Sequence, residues 1–270
     1  MVHPDIKVMG DIARVHGRDK PDAVAFICDD RTTTYGAFDR HCNQVANGLL
    51  AEGLGPQERI AYIGKNSDIY YEMLLGGGKA NLVMVAVNWR LAPPEVAYIL
   101  KDSKAKVIFV GPEFTGLIDQ IKDELPDLVR VIPVEGFEAW REGFGADDPH
   151  VPVDEADVAV QLYTSGTTGH PKGAQITHGN LNALRNAQDE PPVWNTWTEQ
   201  DVSLVAMPNF HIGGTGWGLS GLTPGALNVV MPEFDPALVL DFIQKYRISK
   251  IFLVPAAMQI IVRDPRARET

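Results

Sequence analysis

Tyr163-Thr164-Ser165-Gly166-Thr167-Thr168-Gly169-His170-Pro171-Lys172-Gly173 carries four aliphatic hydroxyls, three glycines and one lysine, and no acid. With almost nothing to bury, such a segment belongs at the surface as a loop. Glycines at 166, 169 and 173 can adopt backbone angles that other residues avoid, so peptide N–H groups can turn toward a ligand. The hydroxyls of Thr164, Ser165, Thr167 and Thr168 add donors, and Lys172 adds a full positive charge. The set suits a polyphosphate. A Ser/Thr/Gly turn without a ligand is the plainer reading, but the flanks weigh against it. Apolar residues 158–162 and 174–176 predict strands that anchor both ends. The spacing is not that of a Walker A loop, which needs Gly-x-x-x-x-Gly-Lys-Ser/Thr opening a helix. Here Pro171 precedes the lysine and Gly173 follows it.

Outward from this loop, strand-like runs alternate with helical spacings. Ile6, Met9, Ile12 and Ala13 predict a short opening helix. Residues 23–28 read as a strand, and Asp29-Asp30 as a turn into residues 31–34. Thr34 reads as the N-cap of a helix carrying Phe38, Cys42, Val45, Leu49 and Leu50, which ends near Gly53 and Gly55. Residues 59–63 form the next strand, Ser67 caps a helix through Leu75, and residues 82–87 are a strand of the fully buried kind. Pro93-Pro94 opens a helix through Leu100. A strand over 106–110, a helix over 115–124 and a strand over 128–132 follow.

The acidic, proline-containing stretch 147–157 is expected to connect two α/β subdomains, residues 1–157 and 158–270. Beyond the loop, helices are predicted over 180–187, 238–246 and 256–262, and strands over 202–206, 226–231 and 250–254. This alternation is the pattern of an α/β fold, with helices packed on mostly parallel sheets.

Composition bounds the function. A chain of 270 residues, 45% hydrophobic and 22% charged, has the make-up of a globular protein. It can bury roughly 70–75% of its extended surface. The formal charge of −11, with no basic run, argues against a nucleic-acid partner. One basic loop in an acidic protein remains compatible with phosphate, because the relevant field is short-range. Two cysteines, Cys28 and Cys42, imply no disulfide framework and fit a cytoplasmic location. The N-terminus lacks signal-peptide features, and the most apolar window, residues 73–87, is too short and too polar to span a bilayer. Peripheral membrane contact and a homodimer are left open. No His/Cys/Asp/Glu cluster has zinc-site spacing.

The 163–173 stretch resembles the phosphate-binding signature of the AMP-forming, adenylate-forming superfamily of acyl-CoA synthetases, adenylation domains and luciferases. Asn88-Trp89-Arg90-Leu91-Ala92-Pro93-Pro94-Glu95 is similar to that family's Asn-x-Arg-Leu segment. Met207-Pro208-Asn209-Phe210-His211-Ile212-Gly213-Gly214 is similar to its Pro-x-Phe-His-x-Gly-Gly segment. Both point to the acyl-CoA synthetase branch, and to the fatty-acid ligases within it.

The resemblance implies a layered N-terminal domain and a two-step reaction. A carboxylic acid and ATP give an acyl-adenylate and pyrophosphate, and the acyl group then passes to coenzyme A. It implies that Thr164, Ser165, Gly166, Thr167, Thr168, Gly169 and Lys172 hold the β and γ phosphates. It places Thr164 close to Mg2+, and gives Lys172 and His211 catalytic roles. Two anions must approach in the first step, so positive charge and aimed dipoles have to offset their repulsion. A lysine about 4 Å from one phosphate charge supplies roughly 4 kcal/mol at an effective dielectric of 20.

Phe210, His211, Gly213, Gly214 and Trp217 are the expected acyl pocket. Gly213, Gly214, Gly216 and Gly218 with Trp217 suit a tunnel for a long chain or, equally, close helix packing. His178 reads as a helix-start residue, Gly76-Gly77-Gly78 as a close-packing or kink site, Arg90 as a strand-end brace, and Trp194 and Trp197 as a surface lid. The family continues to about twice this length. Its adenine- and ribose-binding segments and a mobile C-terminal domain are expected beyond residue 270, so this stretch alone is expected to be inactive. A non-catalytic phosphate- or partner-binding module is the competing expectation.

Overall fold

The computed structural model describes residues 3–164, 171–186 and 196–268. Ser165, Gly166, Thr167, Thr168, Gly169 and His170 lie outside the described residues, as do Ala187 and Trp194.

The chain opens with helix α1 (Met9–Asp19), strands β1 (Val24–Cys28) and β2 (Arg31–Thr34), and helix α2 (Tyr35–Ala51). Next come β3 (Arg59–Ile63), α3 (Asp68–Lys79), β4 (Val83–Val87), α4 (Pro93–Ser103), β5 (Ala105–Val110), α5 (Thr115–Ile121), β6 (Arg130–Pro133) and α6 (Phe137–Glu142). Then follow β7 (Val158–Thr164), β8 (Lys172–Thr177), α7 (His178–Asn186), β9 (Val202–Val205) and α8 (Ile212–Leu222). The last elements are β10 (Leu227–Val230), α9 (Pro236–Tyr246), β11 (Lys250–Ile251) and α10 (Pro255–Ile261). Helix starts follow the capping chemistry. Thr34 accepts from the Ala37 N–H at 3.2 Å, Ser67 from the Ile69 N–H at 3.2 Å, and Pro93 occupies the first position of α4.

Two sheets form. The first has the order β11-β9-β10-β1-β2, and the second β6-β5-β3-β4-β7-β8. All pairings are parallel except β1 with β2 and β7 with β8. The division expected at residue 157 does not coincide with a division between the sheets, because each sheet takes strands from both sides of it.

Alternation along the strands builds the layers. Ile60 and Tyr62 of β3 face a central core with α1, α2, α3 and α8, whereas Ala61 and Ile63 face α4 and α5. In the first sheet, Val205 and Val230 face the same central core, and Leu204 and Val229 face α9 and α10. The result is helix, sheet, helix, sheet, helix.

Every residue of α3 is buried. Its glycines make room for neighbours. A Cβ on Gly76 would lie 2.7 Å from Val45 Cβ in α2, and one on Gly77 2.8 Å from Ile60 Cδ1 in β3. Its ions need partners, since an unpaired buried charge is costly. Lys79 Nζ reaches Asp39 at 2.6 Å, Asn43 at 2.5 Å and Asp148 at 3.1 Å. Glu72 meets Arg141 at 2.5 Å and His41 at 2.8 Å. Asp148, in the 147–157 connector, also takes Arg14 at 2.9 Å. Burial alone would raise its carboxyl, but Arg14, the His150 N–H and Lys79 hold it well below the usual carboxylate range.

His178 is the first residue of α7 and is buried. Its Nδ1 accepts from the Met9 N–H at 3.1 Å, so α7 is tied to the start of α1. Burial lowers the imidazole from 6.5 to about 4 against the pull of Asp157 and Asp11, so the ring is neutral at pH 7. The unfolded chain therefore gains a proton that the folded chain refuses. Stability present above pH 6.5 is lost as pH falls toward about 4. His178→Asn, which keeps an acceptor for Met9, should flatten this acid-side loss by up to about 3 kcal/mol in urea melts at stepped pH. An unchanged acid slope would refute this account of His178.

Candidate functional site

The expected loop over 163–173 is shorter than its sequence suggested. Strand β7 runs on to Thr164 and β8 begins at Lys172, so Tyr163 and Gly173 lie within strands. In the antiparallel register Thr164 stands opposite Lys172, and Tyr163 opposite Gly173. Both Thr164 and Lys172 are exposed. Alternation puts them on the strand face of Val160 and Leu162, which belongs to the central core. Among the described residues, no carboxylate pairs with Lys172. Its charge is open to an anionic ligand.

Strand β7 lies beside β4, with Ala86 opposite Leu162. The ends of the two strands therefore bring Thr164 next to the segment that follows Val87. There Asn88 Oδ1 accepts from the Arg90 N–H at 3.0 Å, the Ala92 N–H donates to Glu95 at 2.9 Å, and α4 starts. This turn presents Trp89 and Arg90 at the carboxyl ends of parallel strands, where open α/β sheets hold their ligands. Arg90 lies over the Trp89 ring at 4.7 Å and over Phe210 at 5.8 Å. It braces the strand end through aromatic faces.

Phe210 and His211 come from the other sheet, on the segment between β9 and α8. Phe210 is buried, its ring 6.2 Å from Trp89 in an edge-on contact. His211 is exposed, precedes the first residue of α8 with no capping hydrogen bond from its side chain, and its ring lies 4.5 Å from that of Phe210. Partial burial, then the Arg90 charge, push its imidazole below the ordinary value. A neutral ring at pH 7 offers one donor and one acceptor.

The sequence reading missed what holds this segment. Asn66, between β3 and α3, donates to the carbonyls of Met207 at 3.1 Å and Met231 at 3.0 Å, and accepts from the Asn209 N–H at 2.8 Å. Tyr71 donates to Asn209 Oδ1 and the Gly214 carbonyl, both at 3.1 Å. Tyr70 meets Thr215 at 2.7 Å, and Thr215 donates to the Asn209 carbonyl at 2.5 Å. The signal available was a pair of adjacent tyrosines near the start of a helix whose every residue is buried.

The glycines of α8 meet different neighbours. A Cβ on Gly214 would lie 2.2 Å from the Pro208 carbonyl oxygen, and one on Gly218 2.1 Å from Tyr71 Oη, so both serve close packing. Gly213 faces Phe252, with 3.0 Å to its ring. Trp217 packs against Trp197 at 4.9 Å and Phe252 at 5.8 Å. Phe210, His211, Gly213, Gly214 and Trp217 thus follow one another along one segment and the first turns of one helix. The structure brings Phe210 and His211 to Trp89 and Arg90, and Gly213 and Trp217 to an aromatic cluster on the side of Phe252. The junction between Trp89, Pro208 and Asn66 encloses only about 10 Å³, room for one water.

Residues 13–270 match the family described as AMP-binding enzyme. A fatty acid–acyl-carrier-protein ligase of Streptomyces coeruleorubidus is 36% identical over 266 residues, covering 97% of this chain and 51% of that protein. A feruloyl-CoA synthase of an Amycolatopsis species is 36% identical over 262 residues, covering 93% and 49%. The inhibitor-bound N-terminal domain of FACL13 from Mycobacterium tuberculosis superposes with a TM-score of 0.91 at 28% identity, covering 97% of this chain and 67% of that one. The chain spans about half the length of the curated relatives it matches.

Asn66→Ala should strip partners from two buried carbonyls and one N–H at once. The expected loss is about 2–4 kcal/mol, read as a lower urea midpoint at an unchanged m-value. A loss within about 0.5 kcal/mol, the scale of a neutral surface change, would show that the segment does not depend on Asn66.

Proposed function

This chain belongs to the AMP-binding enzyme family, and we propose that it is the N-terminal part of an acid–thiol ligase that makes an acyl-adenylate from a carboxylic acid and ATP. The observation that carries the reading is the pairing of Thr164 with Lys172 at the open end of the second sheet, with no carboxylate among the described residues to neutralise the lysine.

In this reading Lys172 binds the phosphates of ATP and counters the charge that builds as the acid attacks the α-phosphorus and pyrophosphate departs. Ser165, Gly166, Thr167, Thr168 and Gly169 complete the phosphate contacts by the motif. Mg2+ arriving with the nucleotide would neutralise phosphate charge. An exposed Thr164 hydroxyl fits an ion that keeps water and phosphate ligands rather than a protein cage. No group of three or more His, Cys, Asp or Glu among the described residues has metal-site geometry. The same chain contributes an acyl-binding wall, in which Phe210 supplies apolar surface and neutral His211 a hydrogen bond near the carboxylate.

For the acid we propose a fatty acyl chain, supported by the fatty-acid ligase among the relatives. An aromatic acid is the second reading, favoured by the aromatic wall of Trp89 and Phe210 and by the feruloyl-CoA synthase. For the acceptor we propose coenzyme A. Residues 1–270 on their own should be inactive, because a nucleotide also needs contacts to adenine and ribose. Two buried, free thiols, Cys28 and Cys42, support a cytoplasmic site of action. Among the described residues no helix is long and apolar enough to cross a membrane.

The test is acid-dependent ATP–pyrophosphate exchange by the full-length protein, with fatty acids of rising chain length and with aromatic acids. Lys172→Ala should lower exchange by about 10²–10³-fold, the scale of losing one aimed transition-state donor. Phe210→Ala and His211→Ala should shift the preferred acid. Wild-type exchange rates in Lys172→Ala would sink the phosphate assignment, and unchanged acid preference in both other variants would remove them from the pocket.

A further inference from the structure

The β7–β8 hairpin has a back as well as a front. Thr164 and Lys172 lie on the front, toward the central core, and Tyr163 and Gly173 lie on the back, toward α4. Strand β8 is the edge of its sheet and is paired on one side only. Along the sheet, Lys172 is held by the ladder to β7 alone.

On the back, the Tyr163 hydroxyl donates to Asp102 Oδ2 in the last turn of α4 at 2.6 Å. It accepts from Gln161 Nε2, two residues up its own strand, at 2.9 Å. The ring therefore lies back over the hairpin instead of standing away from it. Directly across the ladder is Gly173, where a Cβ would come within 2.5 Å of Gln161 Nε2, 3.0 Å of Tyr163 Cζ and 3.1 Å of Tyr163 Oη. The space a side chain would take at 173 is filled by Tyr163 from the neighbouring strand. Covering an edge glycine with a cross-strand aromatic ring pins strand register. The hydrogen bond to a carboxylate is of the stronger, charge-assisted kind.

We propose that Tyr163 and Asp102 are positioning residues, which act through Lys172 by latching the root of the hairpin to α4. The inference rests on the ligase reading for its kinetic consequence, and on the geometry alone for the latch. The contact sits beside the working residues: Tyr163 precedes Thr164, and Gly173, which its ring covers, follows Lys172. A shift of β8 by a fraction of an ångström on loss of the latch would move the Lys172 charge relative to its phosphate. Displacements of about 1 Å cost up to about 10²-fold in rate.

The experiment uses the full-length protein and the substitutions Tyr163→Phe, Asp102→Ala and Asp102→Asn. Tyr163→Phe keeps the ring over Gly173 and removes only the hydroxyl, so folding should survive. It and Asp102→Ala should lower kcat/KM for ATP about tenfold, with KM for the acid unchanged, whereas Asp102→Asn, which keeps an acceptor oxygen, should stay within about twofold of wild type. In a Lys172→Ala background, Tyr163→Phe should add almost nothing, because the two act on one step. A general loss of folded enzyme would instead lower kcat for every substrate and multiply in both backgrounds. That result, or an ATP kcat/KM within twofold of wild type in Tyr163→Phe and Asp102→Ala, overturns the proposal. Amide hydrogen exchange over residues 172–177, without nucleotide, reads the latch separately and should quicken about tenfold in Tyr163→Phe. If wild type shows no pyrophosphate exchange with any acid, the ligase reading fails. The latch then stands on faster exchange in β8 and falls on unchanged exchange.

Discussion

Helix α3 has no face on solvent, and the architecture follows from that constraint. Twelve residues lie between two sheets with α1 and α2 alongside. Each fully buried Met73, Leu74 or Leu75 contributes about 1.5–3 kcal/mol relative to exposure. The neighbours can come this close because the last turn of α3 carries three successive glycines, of which Gly76 admits Val45 and Gly77 admits Ile60. The arrangement also forces polar solutions. Glu72 and Lys79 remain in the interior only because Arg141, His41, Asp39, Asn43 and Asp148 meet them. The acidic connector is thereby recruited as structure.

The same helix organises the site from beneath. Its N-terminal end carries Asn66 just before it and Tyr70 and Tyr71 in its first turns, and these reach the segment bearing Phe210 and His211. The carboxyl ends of both sheets are thus joined by hydrogen bonds that leave buried carbonyls satisfied. Trp89 and Arg90 close the gap from the second sheet by aromatic and cation–π contact. The chemistry at this edge is divided. One side offers a lysine that no carboxylate among the described residues meets, the other an apolar ring beside a neutral imidazole.

Most strands and helices were legible because each carries a local signal: apolar runs over 59–63 and 82–87, caps at Thr34 and Ser67, and the prolines at 93 and 94. Helix α8 was not. Five of its eleven residues are glycine, and each costs about 1 kcal/mol in a helix relative to alanine. Gly214 against the Pro208 carbonyl and Gly218 against Tyr71 make it a helix by packing, which no local window reveals. Helix α6, six residues long, lacked enough turns to show a period. Strand β11 stops at Ile251, short of the apolar run, and Pro255 opens α10 four residues on.

By itself the sequence determined the class of the protein and marked out its Thr/Gly-rich motif, because composition, capping and an eleven-residue pattern are properties of neighbours along the chain. It also named Lys172, Phe210 and His211 as the residues to watch. Only the tertiary structure decided that Lys172 opens a strand opposite Thr164, and that Tyr163 turns away from it to lie over Gly173. The roles of Asn66, Tyr71 and Asp102 came from the same source. They make their contacts across sequence separations of 61 to 165 residues. Such contacts depend on how two sheets close around one helix, and no stretch of sequence encodes that closure locally.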